Sequence, residues 1–122
     1  MEFFRLIDKK VSQEIIQERI IPNSVSEFAE SMLFIRGDEN KFEGLTLWGD
    51  FLISYNKIKG GVRFTLTNCP YAFNWTITYG FQPEPEKIIL HCTINRRQIQ
   101  DEFLEEIKEF LDEWQKGLLL NL

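Results

Sequence analysis

Residues 51–66, FLISYNKIKGGVRFTL, decide the fold because two alternating runs flank a glycine turn. Phe51, Ile53 and Tyr55 form the first apolar set, and the second is Val62, Phe64 and Leu66. Apolar side chains at every second position are typical of strands with one buried face. Gly60 and Gly61 favour a tight turn, since glycine adopts positive φ without steric cost. The stretch therefore predicts two strands joined by a turn.

The same pattern extends through residues 42–94. Trp75, Ile77 and Tyr79 alternate with threonines, and residues 87–94 place Leu90 and Cys92 on one face of a last strand. Connections this short leave no room for crossover helices. We therefore expect a mainly antiparallel sheet of four to five strands.

Helical spacing precedes this region. Phe4, Ile7, Val11 and Ile15 recur at steps of three or four, which predicts a helix that ends before Pro22. A short strand over residues 2–7 is the alternative, because the run Phe3-Phe4 is ambiguous. Ser24 and Glu27 have capping-box spacing and predict the start of a second helix, which Gly37 would end.

A third helical pattern follows the sheet region. Ile99, Phe103, Ile107, Phe110 and Trp114 repeat at helical spacing. Asn95 is the expected cap and Gly117 the expected stop. We expect one α+β domain over residues 1–122, with two N-terminal helices, a four- to five-stranded mainly antiparallel sheet, and a C-terminal amphipathic helix packed on the sheet.

Composition and charge exclude several classes of protein. The chain has 122 residues, of which 43% are hydrophobic, and 19 acidic against 14 basic residues give a net charge of −5. These values exclude a disordered chain, a disulfide-dense scaffold and a generic basic nucleic-acid binder. We expect neither a nucleic-acid partner nor a membrane, because the longest wholly apolar run, Leu118–Leu120, is far shorter than the roughly 20 residues of a span. With no visible signal peptide, a cytoplasmic location with free thiols is the expectation.

Motifs for nucleotide phosphates, a nucleophile elbow or close-spaced metal ligands are missing from the sequence. We therefore expect no catalytic residue, no cofactor and no metal site. His91 is the single histidine, and it adjoins Cys92. Adjacent side chains on a strand point to opposite faces, so these two are not expected to form a nucleophile–base pair.

Acidic residues are concentrated on the last helix, where seven lie between positions 101 and 113. Four share one stripe at i+3 and i+4 spacing: Glu102, Glu106, Glu109 and Glu113. Such like-charge neighbours cost about 0.2–0.5 kcal/mol per pair, and this cost suggests a functional role as one explanation of the stripe. We predict that this stripe binds a basic protein partner. The second choice for the partner-binding residues is Asp38 and Glu39, in the polar loop over residues 37–41. A solvated helix face that keeps a small protein soluble is the alternative.

Two other possibilities remain open. The aromatic residues of the sheet region, among them Phe64, Phe73 and Trp75, can line a ligand pocket near His91, with His91 as its general base; the alternative is a core filled with large rings. The chain is either a monomer or a homodimer, and in a homodimeric structural domain the apolar tail around Leu118–Leu120 would pack between copies.

In general type, a small acidic α+β chain without a catalytic signature resembles many bacterial toxin-neutralising immunity proteins and small secretion chaperones. This resemblance covers the whole chain and rests on no specific motif. It implies a non-catalytic protein-binding module, most concretely an acidic inhibitor of a basic toxin domain such as a nuclease.

Overall fold

Seven strands form one antiparallel sheet in the computed structural model, which describes residues 1–122. They are β1 (Glu2–Ile7), β2 (Leu33–Gly37), β3 (Lys41–Thr46), β4 (Gly49–Ile58), β5 (Gly61–Leu66), β6 (Asn74–Tyr79) and β7 (Ile88–Thr93). Their order across the sheet is β1-β7-β6-β5-β4-β3-β2. The predicted antiparallel sheet is confirmed, but its predicted size of four to five strands is wrong.

The β4–β5 hairpin has the structure that residues 51–66 predict. Tyr55 lies opposite Phe64, and Ile58 lies opposite Gly61 at the end of the ladder. Gly60 has a φ of +88° in the turn, a conformation that favours glycine. The local pattern was sufficient here because both partner strands lie within one short stretch.

The first predicted helix is wrong over most of its length, and the alternative of a short strand over residues 2–7 is confirmed. Residues Glu2–Ile7 form β1, which pairs with β7 throughout, from Glu2 opposite Thr93 to Ile7 opposite Ile88. The helix α1 spans only Gln13–Arg19 and begins at Ser12, whose Oγ accepts a hydrogen bond from the Ile15 N–H. The ladder with a strand distant in sequence outweighed the helical spacing, as tertiary pairing often does.

The second predicted helix is also wrong. Residues Pro22–Glu27 form a 3₁₀ helix, and Leu33–Gly37 form β2 on the edge of the sheet. Ser24 does not cap a helix toward Glu27, because its hydroxyl accepts from the Ile21 N–H and donates to the Arg19 carbonyl. These bonds turn the chain directly after α1.

The two faces of the sheet differ. One face is covered by the helices and carries the buried core, which includes Phe64 and Trp75. The opposite face, called the open face below, has no helix on it. Its central positions are polar, and exposed apolar side chains lie toward its edges, including Phe4 and Leu33, which are 54% and 52% exposed. The protein is therefore a sheet with helices on one side only.

The C-terminal helix α2 covers the core face. It spans Asp101–Asn121, so it begins after the expected cap at Asn95 and continues through the expected stop at Gly117. Its buried side is formed by Ile107, Phe110, Leu111, Trp114, Gly117 and Leu118. The amphipathic helix is confirmed, with different ends. No helix of the protein is both long and apolar enough to cross a membrane.

Gly117 lies inside α2 because the 3₁₀ helix approaches it closely. A Cβ at this position would lie 1.9 Å from the carbonyl oxygen of Phe28. The ring of Phe28 also stacks on Trp114, with centroids 6.2 Å apart. The glycine therefore serves helix packing rather than helix termination.

Candidate functional site

The predicted acidic stripe lies on the solvent side of α2. Glu102 and Glu109 are exposed, and Glu106 and Glu113 are half-buried. Helical periodicity places the four along one flank of the buried side, next to Gly117. The structure therefore presents the four carboxylates on one surface.

Glu113 has a structural contact that the sequence did not indicate. Its Oε1 accepts a hydrogen bond from the backbone N–H of Ser31 at 2.6 Å. Ser31 lies between the 3₁₀ helix and β2. The bond therefore fixes the acidic stripe of α2 against the segment that joins these two elements.

Two further acids join the stripe at this contact. Glu27 and Glu30 are exposed and line, together with Glu113 and Lys116, a shallow depression of about 190 Å³. The acidic surface is defined here as Glu27, Glu30, Glu102, Glu106, Glu109 and Glu113. None of these six carboxylates has an ion-pair partner, whereas Glu105 and Asp112 on the neighbouring side of α2 pair with Lys108 and Arg5.

The second-choice acids lie elsewhere. Asp38 and Glu39 occupy the turn between β2 and β3, near the beginning of the 3₁₀ helix, while Glu27 lies at its end. Asp38 accepts hydrogen bonds from the backbone N–H groups of Asn40 and Lys41, and these two bonds lower its pKa. Asp38 therefore shapes the turn and is separate from the acidic surface.

His91 and Cys92 point to opposite faces of β7. The His91 ring stacks on Phe4 on the open face, with centroids 4.2 Å apart, and its Nε2 lies 3.2 Å from Oε1 of Glu2. Cys92 is fully buried in the core, where burial raises its pKa to about 12. The arrangement offers no nucleophile–base contact between them.

Aromatic side chains line a groove at the end of the sheet where α2 begins. This groove has a volume of about 290 Å³, and its lining includes Trp48, Tyr71, Phe103 and the free thiol of Cys69. A more polar cleft of about 470 Å³ adjoins it through Tyr71 and Phe103 and contains Arg96, whose guanidinium lies 4.6 Å from the centre of the Tyr71 ring. His91 lines neither depression.

Of the aromatic residues expected around a pocket, Phe73 lines this groove from the core, and Phe64 and Trp75 are core residues only. Phe64, Phe73 and Trp75 are buried and pack against one another and against Phe110 of α2. No group of three or more histidine, cysteine, aspartate or glutamate side chains is arranged to hold a metal ion.

The chain is similar in fold to the crystal structure of an uncharacterized protein from Bacillus thuringiensis. The TM-score is 0.61 at 15% sequence identity, and the alignment covers 98% of each chain. No family model and no curated protein matches this chain. At this identity the likeness concerns the fold alone.

Proposed function

We propose that this protein is a non-catalytic binding module, an acidic immunity-type inhibitor that neutralises a basic toxin domain in the bacterial cytoplasm. The observation that supports this proposal is the acidic surface, in which six carboxylates lie on two adjoining elements without an ion-pair partner. Two bases lie near it, Lys116 at the rim of the depression and Arg19, which donates a hydrogen bond to the Asn121 carbonyl, and neither forms an ion pair with the six acids.

The chemistry of such a partner matches this surface. Enzymes that act on nucleic acid need positive clefts because phosphate charge must be neutralised. A rigid cluster of carboxylates can occupy such a cleft and accelerate the encounter by about 10- to 1000-fold through electrostatic steering. The bond from Ser31 to Glu113 joins the segment that carries Glu27 and Glu30 to α2, so the backbones that carry the six acids are held side by side before binding.

The test compares two variants with the same change in net charge. Glu106→Lys/Glu109→Lys reverses charge within the acidic surface, and Glu14→Lys/Glu18→Lys reverses two exposed, unpaired acids on α1. Each protein is used as bait in a lysate of the source cell, and the captured partner is purified. Its association rate is then measured at 50 and 300 mM NaCl.

We expect the captured partner to be a basic toxin that arrests growth when expressed alone. Co-expression of the wild type or of the α1 variant should restore growth, and the α2 variant should fail and associate at least about tenfold more slowly at low salt. A partner that is not basic, or neutralisation that persists in the α2 variant, would contradict the proposal.

The aromatic groove favours a second candidate function, binding of a small aromatic anion. Trp48, Tyr71 and Phe103 would contact its ring, and Arg96 in the adjoining cleft would contact its negative group. A thermal-shift screen with aromatic carboxylates tests this, since a ligand at 100 times its Kd stabilises by about 2.7 kcal/mol. A hit that Phe103→Ala leaves unchanged would place the ligand elsewhere.

A further inference from the structure

The two edges of the sheet are protected to different degrees. β2 is short, has a register shift between Phe34 and Arg36, and ends at Gly37 with a φ of +138°. β1 pairs with β7 without interruption over six residues, and it contains no proline. Bulges and short strands prevent an edge from pairing with another chain, so β2 is protected and β1 is not.

The free hydrogen-bonding groups of β1 follow from its first residue. Met1 exchanges two bonds with Ile94, which makes them a hydrogen-bonded pair of the ladder. In an antiparallel ladder this pattern repeats every second residue, so Phe3, Arg5 and Ile7 face β7. The N–H and C=O groups of the even-numbered residues, Glu2, Phe4 and Leu6, therefore point away from the sheet.

The side chains of β1 do not guard this edge. Phe4 and Leu6 are 54% and 45% exposed on the open face. Arg5 pairs with Asp112 at 3.4 Å, and Glu2, at the first position of the strand, contacts His91 at 3.2 Å. An edge whose central outward residues are apolar is a template for strand pairing.

We propose that β1 pairs antiparallel with β1 of a second copy of this chain, about a two-fold axis at Phe4. In this register Phe4 lies opposite its own equivalent and Glu2 lies opposite Leu6 of the second copy. The three pairs all use outward-facing residues, and each exchanges two bonds, which gives six hydrogen bonds. In the single copy the Phe4 carbonyl accepts a long hydrogen bond of 3.3 Å from the Arg5 side chain. In the dimer one of the six inter-strand bonds replaces it.

A register centred at Phe4 is also the one that suits the sequence of β1. Moving the centre by one residue toward either end leaves only two outward-facing pairs within the strand, so two of the six bonds are lost. The two Glu2 side chains are offset by four residues, about 13 Å along the strand, which exceeds the Debye length of about 8 Å at physiological salt. Pairing therefore places no like charges opposite each other.

The dimer leaves the acidic surface free. Asp112 of α2 faces β1 through its contact with Arg5, whereas Glu113 faces the 3₁₀ helix through its contact with Ser31. The paired edge is thus on one side of α2 and the acidic surface on the other. Each copy keeps its own acidic surface, and the inference does not depend on the proposed inhibitor function.

Sedimentation velocity of the full chain from 1 to 200 µM tests the proposal. The wild type should approach twice its 14.5 kDa mass as concentration rises. Leu6→Lys adds a charge to the edge and Phe4→Pro removes an outward N–H, and both should remain monomeric. The matched control Leu33→Lys changes a residue of similar exposure on β2 and should dimerise like the wild type.

Amide hydrogen exchange resolved by residue supplies a readout that does not require variants. The amides of Phe4 and Leu6 should exchange about threefold more slowly at 200 µM than at 10 µM, as mass action gives for a dimer with a Kd of about 10 µM, while those of Arg36 and Gly37 on β2 should not change. A wild type that stays monomeric at 200 µM would overturn the proposal. A dimer without concentration-dependent protection in β1, such as one formed through the Leu118–Leu120 tail, would also overturn it.

Discussion

Replacing Gly117 with alanine provides a sharp test of how the 3₁₀ helix packs on α2. An alanine Cβ would lie 1.9 Å from the Phe28 carbonyl oxygen and 2.5 Å from its carbon. Carbon atoms prefer separations of about 3.5–4.0 Å, so the two elements must move apart by about 1.5 Å. The clash involves backbone on one side and Cβ on the other, and no rotamer change relieves it.

The magnitude follows from two opposing terms. Overpacking costs about 1–3 kcal/mol, and a backbone clash belongs at the upper end of that range. Alanine in a helix interior gains about 1 kcal/mol over glycine. We therefore expect Gly117→Ala to lower the free energy of unfolding by about 2 kcal/mol, or the Tm by about 8 °C for a chain of this size.

Urea unfolding followed by far-UV circular dichroism measures this effect. The fluorescence of Trp114 reports the loss of its contact with Phe28. Lys116→Ala is the control, since it changes the adjacent exposed residue and should stay within about 0.5 kcal/mol of the wild type. A Gly117→Ala protein as stable as the wild type, or more stable, would refute this account of the packing, because helix propensity alone would then decide the outcome.

Three further predictions concern buried or bonded side chains. Glu113→Ala should lower stability by about 1 kcal/mol in thermal unfolding, since the Ser31 N–H loses its acceptor, and Glu113→Gln should recover at least half of that loss. Iodoacetamide at pH 8 should label Cys69 alone in the native protein, because burial raises the pKa of Cys92 to about 12; peptide mass spectrometry showing native labelling of Cys92 would contradict its burial. Burial also raises the pKa of Tyr55 to about 12 from 10.0, so both Cys92 and Tyr55 lose their protons first in the unfolded chain, and urea stability should fall as pH rises from about 9 to 12. Above pH 10 both groups contribute, so Tyr55→Phe should reduce the slope of the decline there by about half and leave the slope between pH 9 and 10 unchanged.

The accuracy of the sequence analysis depended on the distance between partners. The β4–β5 hairpin was predictable because its turn and both alternating runs lie in one stretch. β1 was predictable only as the alternative to a helix, because its partner begins 81 residues later, at Ile88, and the helical spacing of its apolar residues competes with the strand pattern. β2 is an exception, since its partner β3 begins only four residues after Gly37, and the capping-box spacing of Ser24 and Glu27 predicts a helix through this segment instead.

The residues of the candidate site also divide into those that a local pattern predicts and those that depend on tertiary contacts. The four glutamates of α2 were predictable from helical periodicity within a single helix. Glu27 and Glu30 were not, because they reach the stripe only through the close approach of Phe28 to Gly117. The signal in the sequence is Gly117 itself, which by its position after the apolar pattern predicts a helix end, whereas in the structure it makes a packing contact inside α2.

The pairing of the first strand with the last has a consequence for synthesis on the ribosome. Glu2 meets Thr93, so β1 leaves the exit tunnel long before its partner exists. At about 5–20 residues per second, that delay is roughly 5–20 s. The hairpins from β2 to β7 can form in order during this time, whereas the nascent β1 must wait with Phe3 and Phe4 unpaired. The strand that precedes all the others in the sheet is thus among the last to be enclosed, and it is where a chaperone would find this chain.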